Sequence, residues 1–118
     1  MEKIVLIVDN SLMSIFLLGR FISNEKVKLI CAEDGLKAVS LCQKFDDIGL
    51  VIMDIELPHM NGIEATRKVK KYRKGLPVIL HSAYSGYKER AAECGCDEFI
   101  NETMNRKIVM DLLKKYLK

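Results

Sequence analysis

Four short strand-like runs in this chain end on residues able to do chemistry. Ile4–Val8 is followed by Asp9-Asn10 and Leu50–Met53 by Asp54. Val78–Leu80 is followed by His81-Ser82-Ala83, and Glu98–Ile100 by Asn101-Glu102. Two carboxylates and a hydroxyl brought to one crevice form an oxygen-donor set, which suits a hard cation such as Mg²⁺. A carboxylate beside such a cation can act as a nucleophile toward a phosphoryl donor.

That convergence needs elements that bring the run ends together. Ile4–Val8, Val27–Ala32, Leu50–Met53, Val78–Leu80 and Glu98–Ile100 have strand length and composition. Leu12–Ile22, Gly35–Phe45, Ile63–Tyr72, Gly86–Cys94 and Lys107–Leu117 carry apolar residues at helical spacing. Strand and helix alternate in five βα units. Short apolar strands between amphipathic helices indicate an α/β, doubly wound parallel sheet covered on both faces. Asn61-Gly62, Gly75-Leu76-Pro77 and Gly95 punctuate the helices. In such sheets ligands bind beyond the carboxyl ends of the strands, where the strand order reverses. The strand-end residues above therefore belong to one candidate site.

Four blocks sharpen this. They are Val5-Leu6-Ile7-Val8-Asp9-Asn10, Ala32-Glu33-Asp34-Gly35, Val51 through Gly62 (VIMDIELPHMNG), and Leu76 through Ala83 (LPVILHSA). Together they resemble the successive signatures of response-regulator receiver domains, over residues 3–117. The resemblance implies a flavodoxin-like (βα)5 fold with strand order 2-1-3-4-5, used in two-component signal transduction. It implies that Asp54 takes a phosphoryl group from a histidine kinase or phosphotransfer protein, and that the domain signals to a downstream protein target by protein–protein contacts. Asp9 corresponds to the first acid of a Mg²⁺ site, and the Glu56 backbone carbonyl to a further ligand. Ser82 corresponds to the hydroxyl that moves to bind the phosphoryl group, and Phe99 to the aromatic that rotates with it. Pro58 and Gly62 shape the loop after Asp54.

Two positions depart from the family pattern. Asn10 stands where a second acid is usual, so the metal site loses a negative charge and Mg²⁺ should bind weakly. A register with Asp9 in that second position is disfavoured. It shifts Met13, Leu17, Leu18 and Phe21 out of step with the expected buried face of the first helix, and it needs a gap before Asp34-Gly35. The larger departure is Glu102-Thr103 in place of Lys-Pro. Two unit charges about 4 Å apart interact by about 4 kcal/mol at an effective dielectric near 20, so reversing one sign matters. The Lys-Pro bond of the family is typically cis. Before Thr103 a cis bond would cost about 2.5–4 kcal/mol, so a trans bond and a re-routed loop are expected. These departures keep an alternative open, a pseudo-receiver that binds proteins without phosphorylation.

Composition bounds the rest. The chain has 118 residues, which suits one domain, 1–118, with no output domain. The chain ends with the fifth helix at Lys118, which is why no output domain is expected, and Met1 leading straight into the first strand favours a stand-alone protein. No apolar run approaches the roughly 20 residues of a membrane span. The start is not a signal peptide, so the expected location is cytoplasmic. Four cysteines suit a reducing compartment, and Cys94-Gly-Cys96 offers too few ligands for a metal. A net charge of +3 gives no reason to expect nucleic acid. Arg67–Lys74 and Lys114, Lys115 and Lys118 read as solvated helix faces, or as a patch for an acidic partner. The first helix is apolar nearly all round: with Met13, Leu17, Leu18 and Phe21 inward, Leu12, Ile15, Phe16 and Ile22 are surplus and could meet a partner or a second copy in a homodimer. No nucleotide loop or full phosphatase signature is present, so no enzyme is expected beyond phosphoryl acceptance and autodephosphorylation.

Overall fold

Apolar runs flanked by turn residues become five parallel strands, β1 (Lys3–Val8), β2 (Val27–Ala32), β3 (Ile48–Asp54), β4 (Val78–His81) and β5 (Glu98–Ile100), in the order β2-β1-β3-β4-β5. This is the expected order. The computed structural model describes residues 3–23 and 25–117, so the readings resting on Met1, Glu2 and Lys118 lie outside the described residues. Side chains alternate across the sheet. Ile4, Leu6, Val8, Val51, Met53, Val78 and Leu80 face one layer, and Val5, Ile7, Leu50, Ile52 and Ile79 face the other. Both sets are buried, which is why the strands read as continuous apolar runs.

The helices are α1 (Leu12–Ile22), α2 (Gly35–Lys44), α3 (Gly62–Tyr72), α4 (Lys88–Glu93) and α5 (Arg106–Tyr116). The buried side chains of α2, α3 and α4 fill the first layer, and those of α1 and α5 the second. Four N-termini are capped by a side-chain oxygen, from Ser11, Asp34, Asn61 and Asn105, each accepting from the backbone N–H three residues on. A cap of this kind contributes about 1 kcal/mol. The helix at α4 differs from its reading as Gly86–Cys94. Ser85–Tyr87 forms a 3₁₀ turn, and the α-helix proper is 6 residues long with no side-chain cap. Among the described residues no helix is long and apolar enough to cross a membrane, and no peptide bond is cis.

The buried face of α1 is not the one expected. Leu18 and Ile22 are buried and Ile15 and Phe21 half-buried against α5, whereas Leu12, Met13, Phe16 and Leu17 are exposed. A helix apolar on every side has no periodic signal to orient it, and packing against Val109, Leu112 and Leu113 of α5 makes the choice. Leu18 and Phe21 alone keep the inward place expected of them.

The basic stretch also divides. Arg73 donates to the carbonyls of Phe45, Asp46 and Ile48, tying α3 to the loop before β3. Lys70 pairs with Asp97 at 2.7 Å. Arg67, Lys68, Lys71 and Lys74 remain exposed.

Candidate functional site

Strand order reverses at β1 and β3, and the carboxyl ends of both carry an aspartate. Asp9 follows β1 directly. Its N–H continues the ladder to Ala32 O, and its Oδ1 accepts from Ser11 N at 2.9 Å. The side chain is thus pinned at the entry to α1 and only 3% exposed. Asp54 is the last residue of β3, half-buried, with Oδ1 accepting from Glu56 N at 3.1 Å. The loop beyond it folds back on itself. Ile55 N donates to His81 O, and Gly62 N to Ile55 O at 2.9 Å. His59 takes a positive φ of 68° within this loop.

Two glycines permit the loop to sit where it does. A Cβ at Gly62 would lie 2.5 Å from Asp54 O, and one at Gly35 would lie 2.2 Å from Met60 O. Gly35 N instead donates to that same Met60 oxygen. The Asp34-Gly35 pair therefore has two separate tasks. Asp34 caps α2, and Gly35 lets the β3–α3 loop rest on the helix start.

A crevice of about 270 Å³ opens over these strand ends, between α1 and the β5–α5 loop. Its polar lining includes Asp9, Asp54, Glu56, His81, Ser82 and Glu102, and its apolar wall comes from Leu17, Leu18, Phe21 and Met104. Ser82 is buried and held from several sides. Its N–H donates to Ile100 O, its carbonyl accepts from Asn101 Nδ2 at 2.8 Å, and its Oγ accepts from Tyr84 N at 3.1 Å. Glu56 reaches the Tyr87 hydroxyl, which donates to Oε2 at 3.4 Å.

The electrostatics follow from that packing. Burial raises the Asp9 pKa, Ser11 N–H opposes the rise, and the negative charge of Asp54 adds to it. Burial also raises the Asp54 pKa, with the Glu56 N–H opposing and the Glu56 carboxylate adding. Two carboxylates that repel each other in a partly dry crevice are suited to a shared cation. Burial lowers the His81 pKa, against a smaller opposing pull from Asp9.

The structure brings Asp9, Asp54, Glu56, Ser82 and Glu102 into one crevice. Asn10 is exposed and does not line it. Phe99 does not line it either; it is half-buried and packs on the opposite layer of the sheet. Glu102 is exposed, and among the described residues no cation pairs with it. Among those residues, too, no three His, Cys, Asp or Glu side chains group closely enough to hold a metal by themselves. Asp9 and Asp54 fit a hard cation that keeps several waters, as Mg²⁺ usually does.

His81, one of the strand-end residues, also lines the crevice. His81 pairs in register with Asp54, and its Nε2 is buried with no hydrogen-bond partner among the described residues. The signal in the sequence is its place at the end of β4, one residue before Ser82.

Comparison with known proteins agrees with this fold. The family model "Response regulator receiver domain" matches residues 5–114. The chain is 33% identical over 120 residues to a chemotaxis protein CheY of Halobacterium salinarum, covering 99% of this chain and 98% of that protein. It is 29% identical to the polar-differentiation response regulator DivK of Brucella ovis, covering 99% and 98% respectively. Among solved structures, the receiver domain of a Pseudomonas aeruginosa sensor histidine kinase, with magnesium coordinated in its active-site cleft, superposes with a TM-score of 0.88. That match has 19% identity over 99% of this chain and 98% of the other. The receiver domain of Ssk1 of Saccharomyces cerevisiae, crystallised with the histidine phosphotransfer protein Ypd1, gives a TM-score of 0.88. Its identity is 21%, over 98% of this chain and 88% of the other.

Proposed function

The chain belongs to the response-regulator receiver domain family, and from that premise we propose that Asp54 is its phosphoryl acceptor. The observation that carries the reading is the position of Asp54: the final residue of β3, at the reversal of strand order, in one crevice with Asp9 and Ser82. The donor would be a phosphohistidine on a kinase or phosphotransfer protein. A carboxylate oxygen of Asp54 attacks the phosphorus, the P–N bond breaks, and the imidazole leaves with its electron pair. The Glu56 N–H fixes one carboxylate oxygen and so sets the orientation of the other. Asp9 and Asp54, with the Glu56 carbonyl, would hold Mg²⁺, which when bound supplies positive charge against the incoming phosphoryl oxygens. Asn10 lies outside the crevice, so the protein contribution to the ion is small and weak binding follows. Ser82 can turn its hydroxyl from Tyr84 N toward the phosphoryl group, and Phe99, paired with Leu80 beside it, would be the side chain that repacks.

Glu102 favours a second reading. It lines the crevice where the family's lysine would offer a counter-charge, so the phosphoryl group would meet a carboxylate there. A domain so equipped could work as a protein-binding module without phosphorylation. One experiment separates the two. The protein is incubated with a small phosphodonor and Mg²⁺ and weighed intact. A gain of one phosphoryl group on wild type, lost in Asp54→Asn, supports the acceptor; no gain on wild type leaves the binding module.

A further inference from the structure

Two of the cysteines stand together at the turn between α4 and β5, and neither lines the crevice. Cys94 caps the end of α4 and is buried; Cys96 is half-buried. Both thiols donate to one oxygen, that of Ala91, at 3.1 and 3.3 Å. Sulfurs bonded to one oxygen at those distances are neighbours. The turn makes them so. Cys94 ends the helix with φ −86° and ψ −7°, and Gly95 reverses the chain with a φ of 94°. Glycine adopts that conformation without strain, so residue 96 returns over the last helical turn.

The surroundings divide the two thiols by role. The Cys96 S–H beside it, with a further contribution from Arg67 on α3, holds the Cys94 thiol down at about 6. The forming thiolate, burial and Asp97 push the Cys96 thiol up. Cys42 differs: burial pushes its thiol up to about 11. Burial also raises the thiol of Cys31. A thiolate next to a second thiol is the arrangement that oxidation exploits.

We propose that Cys94 and Cys96 form a reversible dithiol–disulfide site that responds to peroxides. The Cys94 thiolate attacks one peroxide oxygen, the O–O bond breaks, and hydroxide leaves, giving a sulfenic acid. The Cys96 sulfur then attacks Cys94 sulfur and displaces that oxygen. Water leaves after taking the Cys96 proton, and the S–S bond closes. Two thiols lose two electrons and hydrogen peroxide becomes two waters. The disulfide removes both S–H donors from Ala91 O. It also constrains the turn leading into Asp97, whose Oδ2 accepts from Val78 N and from Lys70 Nζ.

The test uses the full reduced chain. It is treated with hydrogen peroxide at neutral pH, quenched with N-ethylmaleimide in guanidinium, and weighed intact and as peptides. The expected product carries two fewer alkyl groups, both missing from the peptide containing residues 94–96, and dithiothreitol restores four. The pair should react about ten-fold faster than Cys31 or Cys42. Cys96→Ser should stop at one added oxygen on Cys94, and a Cys31→Ser, Cys42→Ala double variant should still close the bridge. The proposal is overturned if wild type keeps four alkylatable thiols under the same treatment, or if the bridge maps to another pair or between chains. It is equally overturned if Cys96→Ser loses thiols as wild type does.

Discussion

Asp54 carries a cost that its neighbours make visible. Burial raises its pKa above the unfolded value of 3.8, and the nearby Glu56 carboxylate adds to that. A raised carboxylate pKa means that the folded state binds the proton more tightly. The stability this confers is fully present below pH 3.8 and is lost as pH rises through the folded value. At pH 7 the charged form is therefore a burden. Asp54→Asn should raise the melting midpoint at pH 7 by roughly 2–4 °C, discounted for the water that still reaches the group. The gain should vanish in melts recorded below pH 3.8. Glu102 permits a prediction of opposite kind. Glu102→Lys should lengthen the life of an aspartyl phosphate by about five-fold, the scale of a solvent-screened ion pair. A time course of intact mass after donor removal reads this directly, and an unchanged lifetime would show that residue 102 does not reach the phosphoryl group. The sequence made Asp54 and Asp9 legible because each stands at the end of a buried apolar run. It did not reveal where the side chains of Asn10, Phe99 or Glu102 point. Those directions depend on loop routes and on which layer packs, and neither has a periodic signal.

Elements rather than residues set the precision of the site. The β3–α3 loop is held by Ile55 N on His81 O, by Gly62 N on Ile55 O and by Gly35 N on Met60 O. A methyl group at residue 62 would push on the carbonyl of Asp54 itself. Gly62→Ala should therefore cost about 1–3 kcal/mol in urea unfolding and also slow phosphoryl acceptance. A variant with native stability and native acceptance would show that the loop yields without consequence. The strands and four of the five helices could be read from apolar runs and the glycine and proline punctuation between them. The exception was α4, where an uncapped six-residue helix follows a 3₁₀ turn. Local propensity there is too weak to show how the chain divides.

At the scale of the molecule, the layer formed by α1 and α5 leaves a stripe uncovered. Leu12 is 73% and Phe16 60% exposed, with Met13 and Leu17 alongside. The stripe adjoins the crevice, since Leu17 also lines it. Under the proposed reading, a partner delivering a phosphoryl group to Asp54 would come within reach of this edge. Phe16→Glu should change folding stability by less than about 0.5 kcal/mol, as an exposed substitution does. It should weaken binding of a phosphotransfer partner, or self-association, in analytical ultracentrifugation. Unaltered association of both kinds would remove α1 from the contact surface. This stripe was only half legible. Leu12 and Phe16 were read as surplus, but Met13 and Leu17 exchanged places with Ile15 and Ile22, because a helix apolar on all sides is oriented only by its neighbours.

The two glycines against the loop have a consequence for anyone who would move this site into another protein. Grafting an aspartate onto a strand end would transplant a functional group without its socket. The carbonyl of residue 54 needs the bare backbone of residue 62, and the oxygen of residue 60 needs the bare backbone of residue 35. The smallest portable unit therefore draws on two separate stretches of chain, Asp34-Gly35 at the start of α2 and 54–62 from the end of β3 to the start of α3. A scaffold lacking either would receive the chemistry and lose its aim.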